Sequence, residues 1–122
     1  MGQSGINGSC HCGAVKFTYR GQTERLVSCN CSICRRYRSL WAHTERSNLE
    51  FHEKGEMVEY LWGDREIIFH SCATCGCTTH WSSANTESHD RVAANVAMAD
   101  PQDIAHIKVW HFDGADTWEF VD

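Results

Sequence analysis

The chain has a single proline, and none of its apolar runs approaches the ~20 residues that a membrane-spanning helix needs. The first absence leaves no Pro-rich linker, and no internal repeat or second domain is visible. The second gives no reason to expect a membrane protein. Met1 to Ile6 shows no basic region followed by an apolar stretch, so no secretory leader is read there. A basic excess is lacking too. The formal net charge is −5, which argues against a nucleic acid or an anionic membrane as the main partner.

What the chain does have is cysteine, eight in 122 residues. With no leader, a reducing cytoplasm is the expected location, and there dense cysteines serve metals rather than disulfides. Their spacing agrees, because C-x-C and C-x-x-C pairs present converging thiolates to one ion. The length suits one domain with a small core, which metal staples would reinforce.

Three clusters hold the thiols: Cys10 and Cys12; Cys29, Cys31 and Cys34; and Cys72, Cys75 and Cys77. Structural zinc is four-coordinate and is usually gripped by two short hooks. Cys10 and Cys12 with Cys72 and Cys75 meet that description. Cys29, Cys31 and Cys34 are then left on a second ion with three protein ligands. Either that site keeps an open position for a reactant, or Cys77 or a histidine closes it; both outcomes stand on the residues alone. Cys77 follows Cys75 by two residues, so local geometry ties it to the first site, where it is read as a small apolar side chain. Among the histidines, His43 lies closest after the three-cysteine loop and is the first to consider as fourth ligand or proton carrier. His70 and His80 are read as strand residues.

Along the chain, residues 1–9 read as a loose Gly- and Ser-rich lead, and residues 10–122 as one zinc-binding domain. Val15, Phe17 and Tyr19 alternate with Lys16 and Thr18, a half-buried strand. Further strands are expected over 26–30, 49–52, 57–62, 66–70, 78–82, 91–98 and 107–112, with an extended segment after Leu40. Turns are expected at Gly21-Gln22, Lys54-Gly55, Gly63-Asp64 and Asp113-Gly114, and a polar loop over 84–90. Residues 32–38 tolerate a helical turn. Asp100-Pro101 suits a short helix ending near His106, with Asp100 as its cap. The fold class is therefore mainly β with one or two short helices.

C-x-C-G, then C-x-C-x-x-C with basic residues after it, then C-x-x-C-G before an aromatic strand resembles the family of glutathione-dependent formaldehyde-activating enzymes. Phe112-Asp113-Gly114-Ala115-Asp116-Thr117-Trp118 is similar to the end of bacterial members. The resemblance runs from about Cys10 to the C-terminus. It implies a β-tent fold, several small coiled antiparallel sheets around zinc. It also implies that Cys10, Cys12, Cys72 and Cys75 hold structural zinc and that Cys29, Cys31 and Cys34 hold a catalytic one. The implied cofactor is Zn2+ at two sites, the second open to partial occupancy. The implied activity is that of a carbon–sulfur lyase, joining glutathione and formaldehyde into S-(hydroxymethyl)glutathione. Cys77 departs from the family's commoner Ser or Thr after the knuckle glycine.

Glutathione carries two carboxylates, and Arg35, Arg36 and Arg38 follow the metal loop. Arginine grips carboxylates with paired hydrogen bonds, so this cluster is the expected glutathione contact. Two rival functions share the same ligand pattern: a non-catalytic zinc scaffold or interaction module, and a zinc-thiolate enzyme for another small thiol or electrophile.

Overall fold

Val15, Phe17 and Tyr19 are each at most 1% exposed, so the alternation in this stretch does mark a core face. A computed structural model of the chain describes residues 5–21, 23–86 and 89–122. The stretch is β2 (Val15–Tyr19), the middle strand of a three-stranded antiparallel sheet. Its neighbours are β1 (Ile6–Ser9) and β5 (Leu49–Lys54). Thr18, on the opposite face from the core residues, is buried as well. Its hydroxyl donates to Asn7 Oδ1 at 2.6 Å and accepts from His52 Nε2 at 2.6 Å, partners on the two flanking strands.

β1 lies inside the stretch expected to be a loose lead. The reason is Gly8. A Cβ there would sit 2.4 Å from Phe17 Cζ, so the missing side chain is what allows the Phe17 ring to cover the neighbouring strand.

The other strands form a seven-stranded sheet: β3 (Arg25–Cys29), β4 (Trp41–Glu45), β6 (Met57–Tyr60), β7 (Ile67–Cys72), β8 (Thr78–Ser83), β9 (Arg91–Asn95) and β10 (Lys108–Phe112). Across the sheet the order is β10-β3-β4-β9-β8-β7-β6. All pairs are antiparallel except β10 with β3, which run parallel with Phe112 opposite Cys29. The protein is thus mainly β, as expected. Its two α-helices are single turns, α1 (Cys34–Tyr37) and α2 (Pro101–Ile104). Asp100 caps α2 by accepting from Gln102 N at 3.2 Å, with Pro101 in the first turn. Among the described residues no helix is long and apolar enough to cross a membrane. Gln22 in the expected turn, and residues 87–88 in the expected polar loop, lie outside the described residues.

β9 is central, and Val92, Ala93 and Ala94 are buried on both faces, which is why its side chains are small. The strand expected over 91–98 stops at Asn95, and a 3-10 turn follows over Val96–Met98. Asn95 causes the break. Its Oδ1 accepts from Ala97 N at 3.2 Å and Leu40 N at 3.1 Å, while Nδ2 donates to Thr78 O at 2.8 Å. Asn95→Ala would leave the buried Thr78 carbonyl without its donor and the part-buried N–H groups of Leu40 and Ala97 without their acceptor. The buried carbonyl costs about 1–3 kcal/mol and the two part-buried N–H groups less, so a loss of roughly 2–4 kcal/mol is expected, read as a lowered midpoint in urea unfolding of the metal-loaded protein.

Candidate metal centres and the adjoining cavity

Two tight turns build the first cluster. The turn between β1 and β2 carries Cys10 and Cys12, while Cys72 ends β7 and Cys75 lies in the turn that leads to β8. Each turn needs one residue in the left-handed region, supplied by Gly13 (φ 87) and Gly76 (φ 84). Backbone N–H groups point at the sulfurs: Val15 N donates to Cys10 Sγ at 3.3 Å and Thr74 N to Cys72 Sγ at 3.4 Å. All four sulfurs lie within 4.8 Å of one another, and the Cys10–Cys12 and Cys12–Cys72 separations are both 3.7 Å. A tetrahedron of thiolates around zinc, with Zn–S near 2.3 Å, has edges of about 3.8 Å. Four soft, converging donors at this spacing fit a closed metal site that could hold zinc.

Cys77 packs in this same region, against the buried Cys10, Val15 and Cys72, and its carbonyl accepts from Cys72 N at 2.9 Å. His70 and His80 sit opposite each other on β7 and β8, with rings stacked at 4.1 Å. Ser82 Oγ and Thr79 Oγ1 hydrogen-bond them at 2.8 and 2.7 Å. Burial holds both rings below the usual histidine range, His80 down to about 2. They are satisfied strand residues.

The second cluster lies at the end of β3. Cys29, Cys31 and Cys34 bring their sulfurs within 4.8 Å of one another, and among the described residues no histidine, carboxylate or further cysteine joins the group. Cys31 N donates to Cys29 Sγ at 3.5 Å, and the buried Trp41 indole N–H donates to Cys34 Sγ at 3.4 Å. The Cys34 thiol donates to Cys29, which brings the Cys29 thiol down to about 6. The same bond, helped by burial, pushes the Cys34 thiol up. One thiolate is therefore already favoured in this loop. Three thiols with two N–H donors aimed at them suit a metal ion with one position not supplied by the protein.

A C-terminal loop is latched onto this cluster. Asn30 Nδ2 donates to Asp113 Oδ1 at 3.0 Å, and Asn30 Oδ1 accepts from Ala115 N at 3.0 Å. The Asn30 amide, with N–H groups near Thr117, holds the Asp113 carboxyl below its usual value. Gly114 makes the approach possible, since a Cβ there would lie 2.7 Å from Cys29 Sγ.

The three cysteines open onto a cavity of about 370 Å³. Val27, Trp41, Phe69, Trp81 and Phe112 contribute to its walls. The turn between β6 and β7 adds Trp62, Gly63, Asp64 and Glu66, and the C-terminal loop adds Trp118. His43, on β4, also lines it and meets Trp81 edge-on at 5.6 Å. Burial, with Arg91 and Arg25 nearby, brings the His43 ring down to about 4, so it is neutral at physiological pH.

The arginines expected to contact glutathione are placed elsewhere. Arg35, Arg36 and Arg38 are exposed, and none lines the cavity. Arg36 Nη1 donates to Ser32 O at 2.6 Å, and Arg38 ends α1 in the left-handed region at φ 56. Arg35 and Arg36 lie on the single turn of α1 and Arg38 caps its end, all three on the exposed surface. Sequence reasoning missed Trp62, Phe69 and Trp81 as cavity walls, and the turn at Gly63-Asp64 was read only as a turn.

The model of the glutathione-dependent formaldehyde-activating enzyme family matches residues 5–112. The crystal structure of a Rhodobacter sphaeroides protein superposes with a TM-score of 0.68 at 29% sequence identity, covering 85% of this chain and 99% of that one. The family match extends over both cysteine clusters and most of the cavity walls, and on it this chain belongs to the glutathione-dependent formaldehyde-activating enzyme family.

Proposed function

We propose that this protein is a zinc-dependent enzyme of the carbon–sulfur lyase type, adding glutathione or another small thiol to formaldehyde or a related electrophile. The observation that carries the reading is the contrast between a closed four-thiol cluster and a three-thiol cluster that faces a cavity. In the forward direction the thiol sulfur forms a bond to the carbonyl carbon. The carbonyl π pair becomes an oxygen lone pair, and the thiol proton ends on that oxygen, so the product is a hydroxymethyl thioether. Zinc held by three thiolates would supply a position at which an incoming thiol is kept as thiolate at neutral pH.

The chain's own residues do the rest. Cys29, Cys31 and Cys34 hold the ion, and the N–H groups of Cys31 and Trp41 spread the charge of the thiolate set. Aromatic walls exclude water, which limits loss of the adduct. His43 places a neutral, hydrogen-bonding ring in the wall without adding positive charge. Cys10, Cys12, Cys72 and Cys75 staple the two sheets together.

Cobalt substitution tests this directly. Adding a small thiol to the cobalt-loaded protein is expected to shift the visible bands of one of its two ions, and the zinc form is expected to form adduct faster than the spontaneous reaction. Unchanged bands together with a background rate would mean that both metals are structural, as in a scaffold.

A further inference from the structure

The chemistry of the cavity bears on which thiol it accepts, an inference that rests on the function proposed above. Its polar groups come in only a few kinds. The three cysteines form one end, His43 sits in the wall, and Asp64 and Glu66 stand at the lip. No lysine or arginine lines it. Arg65, between the two lip acids, is turned by a left-handed backbone (φ 59) and is not part of the lining. Arg25 lies over the rings of Trp110 and Phe120, at 5.0 and 4.4 Å, and is also outside it. Apart from the ion on the cysteines, a carboxylate brought into this space would find carboxylates and thiolates and no lysine or arginine in the lining, Arg91 and Arg25 acting on His43 only from outside it. Taking an unpaired charge out of water is costly, and like charges nearby add to that.

The walls offer what an apolar group needs. Trp41, Phe69, Trp81 and Phe112 present ring surface, and 370 Å³ is within the range of small-molecule sites. Two tryptophans at the mouth are left in water: Trp62 is 41% exposed and Trp118 73%. Trp118 is held in the left-handed region (φ 61), uncommon for a bulky residue, with its ring edge-on to Phe112 at 5.4 Å. Indole surface strained into place over a cavity mouth is surface that a ligand can cover.

We infer that this cavity selects the uncharged, apolar substituent of a thiol, and that glutathione with its carboxylates is the poorer occupant. The site therefore serves apolar thiols.

The test measures binding to the zinc-loaded full chain by quenching of tryptophan fluorescence, with benzyl mercaptan, benzyl alcohol and glutathione as probes. Benzyl mercaptan is expected to bind at least tenfold more tightly than glutathione. Trp118→Ala is expected to weaken benzyl mercaptan several-fold. Glu66→Lys, at an exposed position, is expected to strengthen glutathione several-fold and leave benzyl mercaptan unchanged. Glutathione binding as tightly as benzyl mercaptan in the wild type would overturn the selectivity while leaving the thiol chemistry intact. Benzyl alcohol matching benzyl mercaptan, with no adduct formed above background, would leave the apolar selectivity standing and overturn the thiol chemistry.

Discussion

Cys72→Ser is expected to give a chain with no cooperative thermal transition, even in the presence of added zinc. Cys72 is 1% exposed, and its sulfur is one of four that converge. Structural zinc on thiolates contributes apparent binding energies of about 10–16 kcal/mol, whereas a whole domain of ordinary stability has about 5–15. Losing one of four ligands removes much of that binding and leaves the buried Cys10, the half-buried Cys75 and the exposed Cys12 competing for protons. The position matters as much as the chemistry. The cluster joins the β1–β2 turn to the β7–β8 end, one from each sheet, so its loss leaves only the shared apolar core to hold the sheets together. Far-UV circular dichroism with a thermal ramp, and metal analysis, are the measurements. A melt resembling the wild type's, with one zinc still bound at this cluster, would show that the cluster is dispensable.

Cys31→Ser is expected to do the opposite: the fold survives and the activity does not. Cys31 lies in a surface loop, half-buried, and β3 before it is anchored independently by β4 and β10. The variant should retain the ion of the first cluster, lose that of the second, and melt cooperatively. Adduct formation should fall to the rate of the uncatalysed reaction, because two thiols cannot hold the ion firmly enough to present a bound thiolate. Product formation followed by NMR with labelled formaldehyde, beside metal content, checks it. An unchanged rate in a variant lacking the second ion would place the chemistry elsewhere or nowhere.

The two clusters were legible because metal binding puts its demand on short-range spacing. Cys10 with Cys12, and Cys72 with Cys75, can converge only if each pair sits in a tight turn, and Gly13 and Gly76 mark those turns. The alternation of Val15, Phe17 and Tyr19 was legible for a similar reason, since a pleated strand writes its buried face every second residue. β1 was hidden because its key residue has no side chain. Gly8 reads as loop, yet the Phe17 ring needs that empty space. The place of the arginines was less legible. They follow Cys34 in sequence, yet they are exposed and outside the cavity lining, because nearness along the chain does not say which surface a side chain joins. Most of the cavity was illegible because Trp62, Trp81 and Trp118 meet Trp41 only through the order of strands. The parallel pairing of β10 with β3 in particular follows from no local pattern.

The latch between Asn30 and the loop after β10 sets an order of events during synthesis. All the ligands of the four-thiol cluster have been made once the chain reaches Cys75, well before its last strand exists. The three-thiol loop has its sulfurs by Cys34, but the strand beside it and the glycine that packs on Cys29 come only with residues 108–114. The ligands of the scaffold cluster therefore precede, along the chain, the segment that completes the three-thiol cavity, which comes only with residues 108–114.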